Sequence, residues 1–420
     1  MTSSSPTSTG SAPLPADLAD DRIIREQGLR GYLTRFLSRL RSGDLGSLPV
    51  VIGLAVIWVV FYALNPVFLS SRNLVNLTLQ SAAIGTIALG VVVVLLLAEI
   101  DLSVGSVSGL SAAILAVAFV QNSLPLAVAL LLAVGSGTVI GLLYGLLYVR
   151  FGVPSFVITL AGLLGFLGLQ LYVLGSTGSI NLPFDSFIVW FAQQAFLPAP
   201  LAYALAVAIP LAYAGARVVG GRRRAAAGLS TPPPLDVLLR SGLLCVVLLG
   251  AVWYLQIDRG VSLMFTVFAA LVVVMDLVLR KTRWGRAVFA VGGNVEAARR
   301  AGIAVNRVYV SVFMLCSTLA ALGGILAASR VAAANQSSGG ADTNLNAIAA
   351  AVIGGTSLFG GRGSAYSALL GILVITSISS GLTLLNLDSS IRYMVTGAVL
   401  LLAVTVDSLS RRTRRSHGRA

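Results

Sequence analysis

Two carboxylates near the start of an apolar run are candidates for acid and base chemistry. Glu99 and Asp101 flank Ile100, so on a helix their side chains would point about 200° apart and could not work as an acid and base pair. Asp101 precedes Ser103 at the start of an apolar run, and its carboxylate can accept the amide hydrogen of Ser103 or Val104. The spacing therefore predicts a helix cap, with a place for Asp101 and Ser103 on a transport path or gate as the alternative.

One further acidic side chain lies inside an apolar run. Asp276 precedes Arg280 by one helical turn, and an ionisable group buried in a membrane helix can carry a coupling ion. The spacing favours an ion pair with Arg280 at the membrane boundary over such a role.

Histidine and cysteine offer no catalytic constellation. The single histidine, His417, lies in an Arg-rich tail, and Cys245 and Cys316 lie in apolar runs without a partner at disulfide or metal spacing. We expect both cysteines to be small buried hydrophobic residues. A catalytic dyad or a zinc site has no side chains to use, so no catalytic residue, no metal and no enzyme activity is expected.

A glycine-rich stretch at 354–363 could in principle cradle a phosphate. The third glycine of a G-x-G-x-x-G pattern is missing because Tyr366 stands in its place, and Lys281, the only lysine, is not preceded by the glycines of a nucleotide-binding loop. We expect a tight turn between helices instead. Thr356 and Ser357 in this turn are candidates for a translocation path or gate, because their hydroxyl groups can hydrogen-bond to the hydroxyls of a solute.

The most specific pattern lies in the basic segment 280–307. Asn294 can cap a short helix there, with Glu296 in its first turn and two arginines in its last turn, so that each charge opposes the helix dipole. Gly302 stands where a left-handed residue ends a helix. The pattern predicts a two-turn helix outside the bilayer that docks into a partner protein, or else a solvated loop helix without a partner.

The elements that position these residues are predicted to be membrane helices. Of the 420 residues, 57% are hydrophobic and 10% are charged, whereas soluble domains carry about 25% charged residues. Apolar stretches of roughly 20 residues, the length that crosses a bilayer, recur along the chain. They lie near 50–66, 76–99, 103–121, 124–149, 154–175, 198–217, 238–256, 261–279, 307–331, 343–359, 364–386 and 391–408. The sequence predicts an all-α polytopic membrane protein with about 10–13 transmembrane helices, and segment 187–197, too short to span, is expected at an interface.

Basic residues indicate the orientation. The net charge is +14, and 25 of the 29 Lys and Arg residues fall on one side if both termini are cytoplasmic. Because cytoplasmic loops hold an excess of Lys and Arg, we expect this orientation. Nucleic-acid binding is not expected, since it requires a basic folded face.

Three regions are predicted along the chain. Residues 1–48 form a disordered or amphipathic cytoplasmic tail, 49–408 the transmembrane domain, and 409–420 a basic cytoplasmic tail. Within the membrane domain, loop 218–237 is rich in Arg and Pro, and loop 280–306 holds the short helix.

A family resemblance rests on four ordered motifs. Glu296, Ala297 and Ala298, followed after three residues by Gly302, resemble the EAA-x-x-x-G coupling motif of ABC importer permeases. The other motifs resemble the ribose and xylose branch of that family: EIDLSVGS at 99–106, VPSF with TLAG at 153–162, and IGGTSLFGGRGS at 353–364. The resemblance covers about residues 60–407. It implies that the short helix, through Asn294, Glu296, Ala297, Ala298 and Gly302, inserts into an ATP-binding subunit.

The resemblance also implies partners and a substrate class. It predicts a cytosolic ATPase subunit with two fused ATPase domains, a periplasmic or lipid-anchored sugar-binding protein, and a second copy of the permease. The chain itself binds no cofactor, because the partner uses the ATP, and it lies in the cytoplasmic (inner) membrane of a bacterium. Region 217–260 and the long N-terminal tail resemble the xylose-transporting members, so a pentose, D-xylose, is the expected sugar. Ribose or another monosaccharide is the alternative, and an ion-coupled secondary carrier is the less favoured one.

Overall fold

The computed structural model describes residues 48–229, 231, 233–391, 393–399, 401 and 405, and most of these residues are helical. The predicted tails, 1–48 and 409–420, lie outside the described residues apart from Leu48. Much of the last predicted crossing, 391–408, also lies outside them.

The elements follow one another with short connections. The helices are α1 (Leu48–Leu64), α2 (Ser71–Leu96), α3 (Val104–Ala116), α4 (Leu126–Phe151), α5 (Ser155–Leu174), α6 (Phe187–Gln193), α7 (Ala199–Ala226), α8 (Pro234–Leu255), α9 (Leu263–Lys281), α10 (Arg283–Gly293), α11 (Val295–Arg300), α12 (Val305–Val331), α13 (Ala341–Ile353) and α14 (Tyr366–Leu384). Strands β1 (Ser179–Asn181) and β2 (Ala333–Asn335) form an antiparallel pair in which Ser179 lies opposite Asn335.

Nine of the described helices are long and apolar enough to cross a membrane: α2, α3 with its π-helical extension to Gln121, α4, α5 with its extension to Thr177, α7, α8, α9, α12 and α14. The apolar helix α1 is shorter, at 17 residues. Large apolar side chains such as Leu131 and Leu164 are 73% and 65% exposed, as lipid contact requires. The prediction of an all-α polytopic membrane protein is confirmed.

Two predicted boundaries are wrong. The crossing predicted at 343–359 is the 13-residue helix α13, which ends at Ile353 and is followed by turns. The loop predicted at 218–237 is shorter, because α7 continues to Ala226 through alanines and arginines, which favour helix. Segment 187–197 holds only the seven-residue helix α6, which agrees with the prediction that it is too short to span.

Contacts divide the described residues into two units. Residues 198–254, with α7 and nearly all of α8, form one unit. This unit falls in the region that resembles the xylose-transporting members. All other described residues form the second unit, which holds every candidate site residue.

Helix α12 is the central element of the second unit, where it contacts α2, α3 and α4. Glycines bring the helices close together. Three of them recur at every fourth position on the face of α4 that meets α12: Gly137, Gly141 and Gly145. On α12 itself, a Cβ at Gly324 would overlap the backbone of Ser108 in α3. Because no side chain separates them, these helices pack backbone against backbone.

This contact gives a prediction for α4. Gly141→Ala is expected to lower the unfolding midpoint of the purified protein, because its Cβ would lie 2.6 Å from the Cα of Met314 and overpacking costs about 1–3 kcal/mol. Gly135→Ala is the matched control on the same helix, since a Cβ there meets no atom within 4 Å and alanine favours the helix by about 0.5–1 kcal/mol. Equal midpoints for the two variants in detergent would contradict the contact.

Candidate transport and coupling sites

Asp101 lies inside the second unit, in the connection between α2 and α3. Its Oδ1 accepts the amide hydrogen of Ser103 at 2.8 Å and the Ser103 hydroxyl hydrogen at 2.7 Å. The hydroxyl of Tyr144 on α4 donates to the Ser103 Oγ at 2.8 Å. The predicted hydrogen bond from the Ser103 amide to Asp101 is therefore present, but the predicted cap is not: the N-cap residue of α3 is Ser103, without a side-chain cap hydrogen bond. Asp101 thus stabilises the connection before α3, and Tyr144 extends this network to a third helix.

The depth of Asp101 follows from its neighbour on α12. Its Oδ2 lies 3.8 Å from the Sγ of Cys316, the twelfth of the 27 residues from Val305 to Val331. At 1.5 Å per residue, Cys316 is roughly 16 Å from the start of α12. Both Asp101 and Cys316 are fully buried. The connection between α2 and α3 thus returns into the bundle, and α3 starts near the middle of α12.

A second segment enters the same region from the opposite end of α12. After β2 the chain turns inward, and Gly339 lies against Gly105 near the start of α3. The side-chain amide of Asn344 on α13 donates to the carbonyl oxygen of Leu102 at 2.7 Å. Helices α3 and α13 therefore begin side by side in the interior, which is the arrangement of discontinuous helices at transporter binding sites.

Gln170 on α5 holds the inward segment in place. Its side-chain amide donates to the carbonyl oxygens of Asn335 at 3.0 Å and Ser338 at 2.9 Å. Its Oε1, like the Oδ1 of Asn344, is buried without a hydrogen-bond partner among the described residues. The sequence did give a signal for Gln170, because it is an amide in an otherwise apolar helix, but its distant backbone partners could not be inferred.

Thr356 and Ser357 lie elsewhere, in the glycine-rich turn between α13 and α14. Thr356 is buried and its amide donates to the carbonyl oxygen of Ala351. The Ser357 hydroxyl accepts the amide hydrogen of Phe359 at 3.2 Å. Among the described residues, no hydrogen bond joins either of them to Asp101. The expected tight turn is present, and a role of these two residues on a path or gate stays a prediction.

The predicted short helix is α11, Val295–Arg300. The Asn294 side chain accepts the amide hydrogen of Ala297 at 2.9 Å, which confirms the predicted cap. Glu296 forms an ion pair with Arg299 at 2.7 Å, and both side chains are more than half exposed. Gly302 has a φ of +78°, the left-handed conformation that its position required.

Helix α11 has one exposed face and one anchor. Glu296, Ala297 and Arg300 are exposed, whereas Ala298 is 3% exposed and packs into the main core. The amide of Ile303 donates to the carbonyl oxygen of Ala298 at 3.1 Å. Hydrogen bonds at the C-terminal end of α11 therefore hold it next to the start of α12. The remaining surface of α11 is open to solvent or to another protein.

A backbone junction connects this segment with two others. The amide of Gly361 donates to the carbonyl oxygen of Leu96 at 2.9 Å. Gly292, at the end of α10, packs against the same carbonyl oxygen, which a Cβ on Gly292 would overlap. The glycine-rich turn, the end of α2 and the segment that carries α11 thus meet without intervening side chains. Sequence reasoning missed Gly292 as a contact residue.

Asp276 and Arg280 form the expected ion pair on α9, with Asp276 Oδ1 2.8 Å from Arg280 Nε. The Ser364 hydroxyl lies 3.4 Å from the same carboxylate oxygen. The pairing predicted from the helical spacing is therefore present. Within the part of the chain that the structure describes, no group of three or more His, Cys, Asp or Glu side chains could hold a metal ion.

The fold and these sites are those of a multi-pass membrane transport protein. A sequence model of the family described as branched-chain amino acid transport system / permease component matches residues 73–404. The chain therefore belongs to this permease family, and it functions in transport rather than in catalysis.

Curated relatives agree with this assignment. The xylose transport system permease protein XylH of Escherichia coli is 35% identical over 376 residues, which cover 89% of this chain and 95% of that protein. The probable ABC transporter permease protein YphD of Escherichia coli is 32% identical over 406 residues, 96% of this chain and 97% of that protein. The ribose import permease protein RbsC of Bacillus subtilis is 32% identical over 366 residues, 87% and 94% of the two chains. No solved structure matches the chain. The resemblance to the ribose and xylose branch of ABC permeases is confirmed.

The buried hydrogen bonds of Asp101 give a second prediction. Asp101→Ala removes the acceptor of the Ser103 amide and hydroxyl, and leaving buried donors without a partner costs about 1–3 kcal/mol each. Asp101→Asn keeps one acceptor oxygen, so it is expected to retain most of the free energy of unfolding. Denaturant unfolding of both variants in detergent measures the difference, and equal losses would show that the hydrogen bonds of Asp101 do not hold this connection.

Proposed function

We propose that this chain is the transmembrane subunit of a binding-protein-dependent ABC importer that carries a pentose, D-xylose, across the cytoplasmic membrane of a bacterium. A cytosolic ATPase subunit with two fused ATPase domains drives the cycle. A periplasmic or lipid-anchored sugar-binding protein delivers the sugar, and two copies of the permease form the path between them.

Helix α11 is the observation that carries the proposal. It is capped at both ends and exposes Glu296 and Ala297, and it follows the EAA-x-x-x-G pattern of ABC permeases. Its buried Ala298 fixes it to the bundle. An exposed short helix with a rigid attachment suits a surface that receives a partner and passes on its movement.

The path of that movement follows from the contacts of α11. One route runs through Gly302 and Ile303 into α12, which packs by backbone contact on α2, α3 and α4. The other runs through Gly292 to the carbonyl oxygen of Leu96, five residues before Asp101. Closure of the ATPase on α11 would therefore reach the interior, where α3 and α13 begin.

The distribution of charge supports a cytoplasmic position for the end of the second unit that carries α11. Arg299 and Val149 line one cavity, which places the α4–α5 connection with Arg150 at the same end of the second unit as α11 in the basic segment 280–307. An excess of Lys and Arg at one end of the helices is typical of the cytoplasmic side.

D-Xylose is the proposed sugar because the relatives named for xylose transport, the XylH proteins, are 33–35% identical to this chain, whereas the ribose permeases RbsC are 31–32% identical. The inserted helices of region 198–254 also favour the xylose branch. Ribose or another monosaccharide is the second candidate. The binding protein would set this choice by its own affinity.

Reconstitution tests the proposal. In proteoliposomes, labelled D-xylose should accumulate only when this chain is combined with the ATPase, the binding protein and ATP. Replacing D-xylose with D-ribose in the same assay separates the two sugar candidates. Uptake by the chain alone under a sodium or proton gradient would instead show an ion-coupled carrier.

The junction at Gly292 gives a prediction about coupling. Gly292→Ala should lower uptake per ATP hydrolysed by about tenfold, because its Cβ overlaps the carbonyl oxygen of Leu96 and forces the two segments apart. Gly293→Ala is the matched control, since a Cβ there meets no atom within 4 Å. Uptake and ATP hydrolysis are measured on the same proteoliposomes. Equal coupling in both variants would show that movement does not pass through this contact.

A further inference from the structure

A cavity of about 540 Å³ lies beside α11, within the range of about 300–1,000 Å³ that is typical of small-molecule sites. Four segments form its walls: residues 98–100 after α2, residues 148–156 around the α4–α5 connection, α11, and the start of α12. None of the transport or gate residues predicted from the sequence lines it.

The lining carries both hydrogen-bond acceptors and donors. Glu99 accepts a hydrogen bond of 2.6 Å from the Tyr148 hydroxyl through Oε1. Its Oε2 has no hydrogen-bond partner among the described residues. Arg299, Asn306 and Ser155 supply guanidinium, amide and hydroxyl groups.

Aromatic rings form part of the same wall. The rings of Tyr148 and Tyr309 lie 4.6 Å apart between centroids, and both line the cavity together with Phe156. Smaller apolar side chains, Ile100 and Val295 among them, complete the lining. The cavity therefore offers apolar surface to carbon–hydrogen groups and polar atoms to hydroxyl groups.

This mixture selects a class of ligand. Arg299 repels a simple cation and Glu99 repels a simple anion, and both side chains line the same space. A hydroxyl group both donates and accepts, so a molecule with several hydroxyls can use the carboxylate, the guanidinium and the amide together. Its carbon–hydrogen faces can lie on the aromatic rings.

We propose that this cavity binds a free monosaccharide on the ATPase-facing side of the permease and that its occupancy inhibits the transport cycle. The inference rests on the proposed function for the identity of the sugar and the side. Because α11 forms one wall and the connection from α2 toward Asp101 forms another, a bound sugar holds these segments at a fixed distance. Accumulated sugar in the cell would thereby slow its own import.

The first test measures binding to the full chain alone in lipid nanodiscs. D-Xylose is titrated without the ATPase or the binding protein, with choline chloride as a cation of similar size. We expect saturable D-xylose binding that weakens at least tenfold in Glu99→Gln and in Asn306→Ala. Arg150→Ala removes a charge at an exposed position next to Val149 of the cavity wall. This variant should bind D-xylose as tightly as the unchanged chain does. Gel filtration and the unfolding midpoint establish that each variant is folded.

The second test measures inhibition in the complete transporter. D-Xylose is added to the ATPase side of proteoliposomes while uptake is driven from the binding-protein side. The concentration for half-inhibition should rise about tenfold in Asn306→Ala and stay unchanged in Arg150→Ala, in line with the binding loss.

Three results would overturn the inference: no D-xylose binding by the chain alone, binding that Glu99→Gln and Asn306→Ala leave unchanged, or binding of choline in preference to the sugar. Each leaves the proposed function intact if ATP-dependent uptake persists. Loss of that uptake in the unchanged protein is the separate result that rejects the proposed function.

Discussion

Inside a membrane-spanning bundle every backbone amide and carbonyl group needs a partner within the protein, and the second unit depends on how it meets this requirement. Its irregular segments are held by backbone contact and by a few buried side chains. Asp101 binds the Ser103 amide, Asn344 binds the carbonyl oxygen of Leu102, and Gly361 binds that of Leu96. Glycines on α4 and α12 remove the side chains that would otherwise keep α12 apart from α4 and α3. The result is an interior in which non-helical chain is tolerated next to α12.

Close backbone packing also has a mechanical consequence for the proposed function. Only four residues separate Arg300, the end of α11, from Val305, the start of α12, and the hydrogen bond from Ile303 to Ala298 ties them together. Because this connection is short and hydrogen-bonded, a displacement of α11 is transmitted to α12. The cavity that contains Glu99 lies between α11 and the connection to Asp101, so its volume would change whenever α11 moves relative to that connection.

Local patterns predicted local structure well. The cap at Asn294, the left-handed Gly302 and the pair of Asp276 with Arg280 depend on neighbours within a few residues, and hydropathy alone indicated most crossings. The prediction of a full crossing at α13 is wrong because the apolar residues continue past the end of the helix at Ile353, and hydropathy does not show where the helix ends. Contacts between distant segments left no local signal. The pairing of β1 with β2, the partners of Gln170 and the approach of Gly292 to Leu96 arise only when the chain folds.

Cross-linking between α11 and the ATPase subunit tests most directly whether α11 is the docking element. Ala297→Cys places a thiol on the exposed face of α11, and Tyr172→Cys, at an 83% exposed position near the end of α5, is the control. Both are made in a chain with Cys245→Ser, while Cys316 is fully buried. In membranes that contain the assembled transporter, Ala297→Cys should cross-link to the ATPase subunit to an extent that changes with ATP, and Tyr172→Cys should not. A transporter that imports sugar normally but shows no ATPase cross-link from position 297 would contradict the assignment of α11.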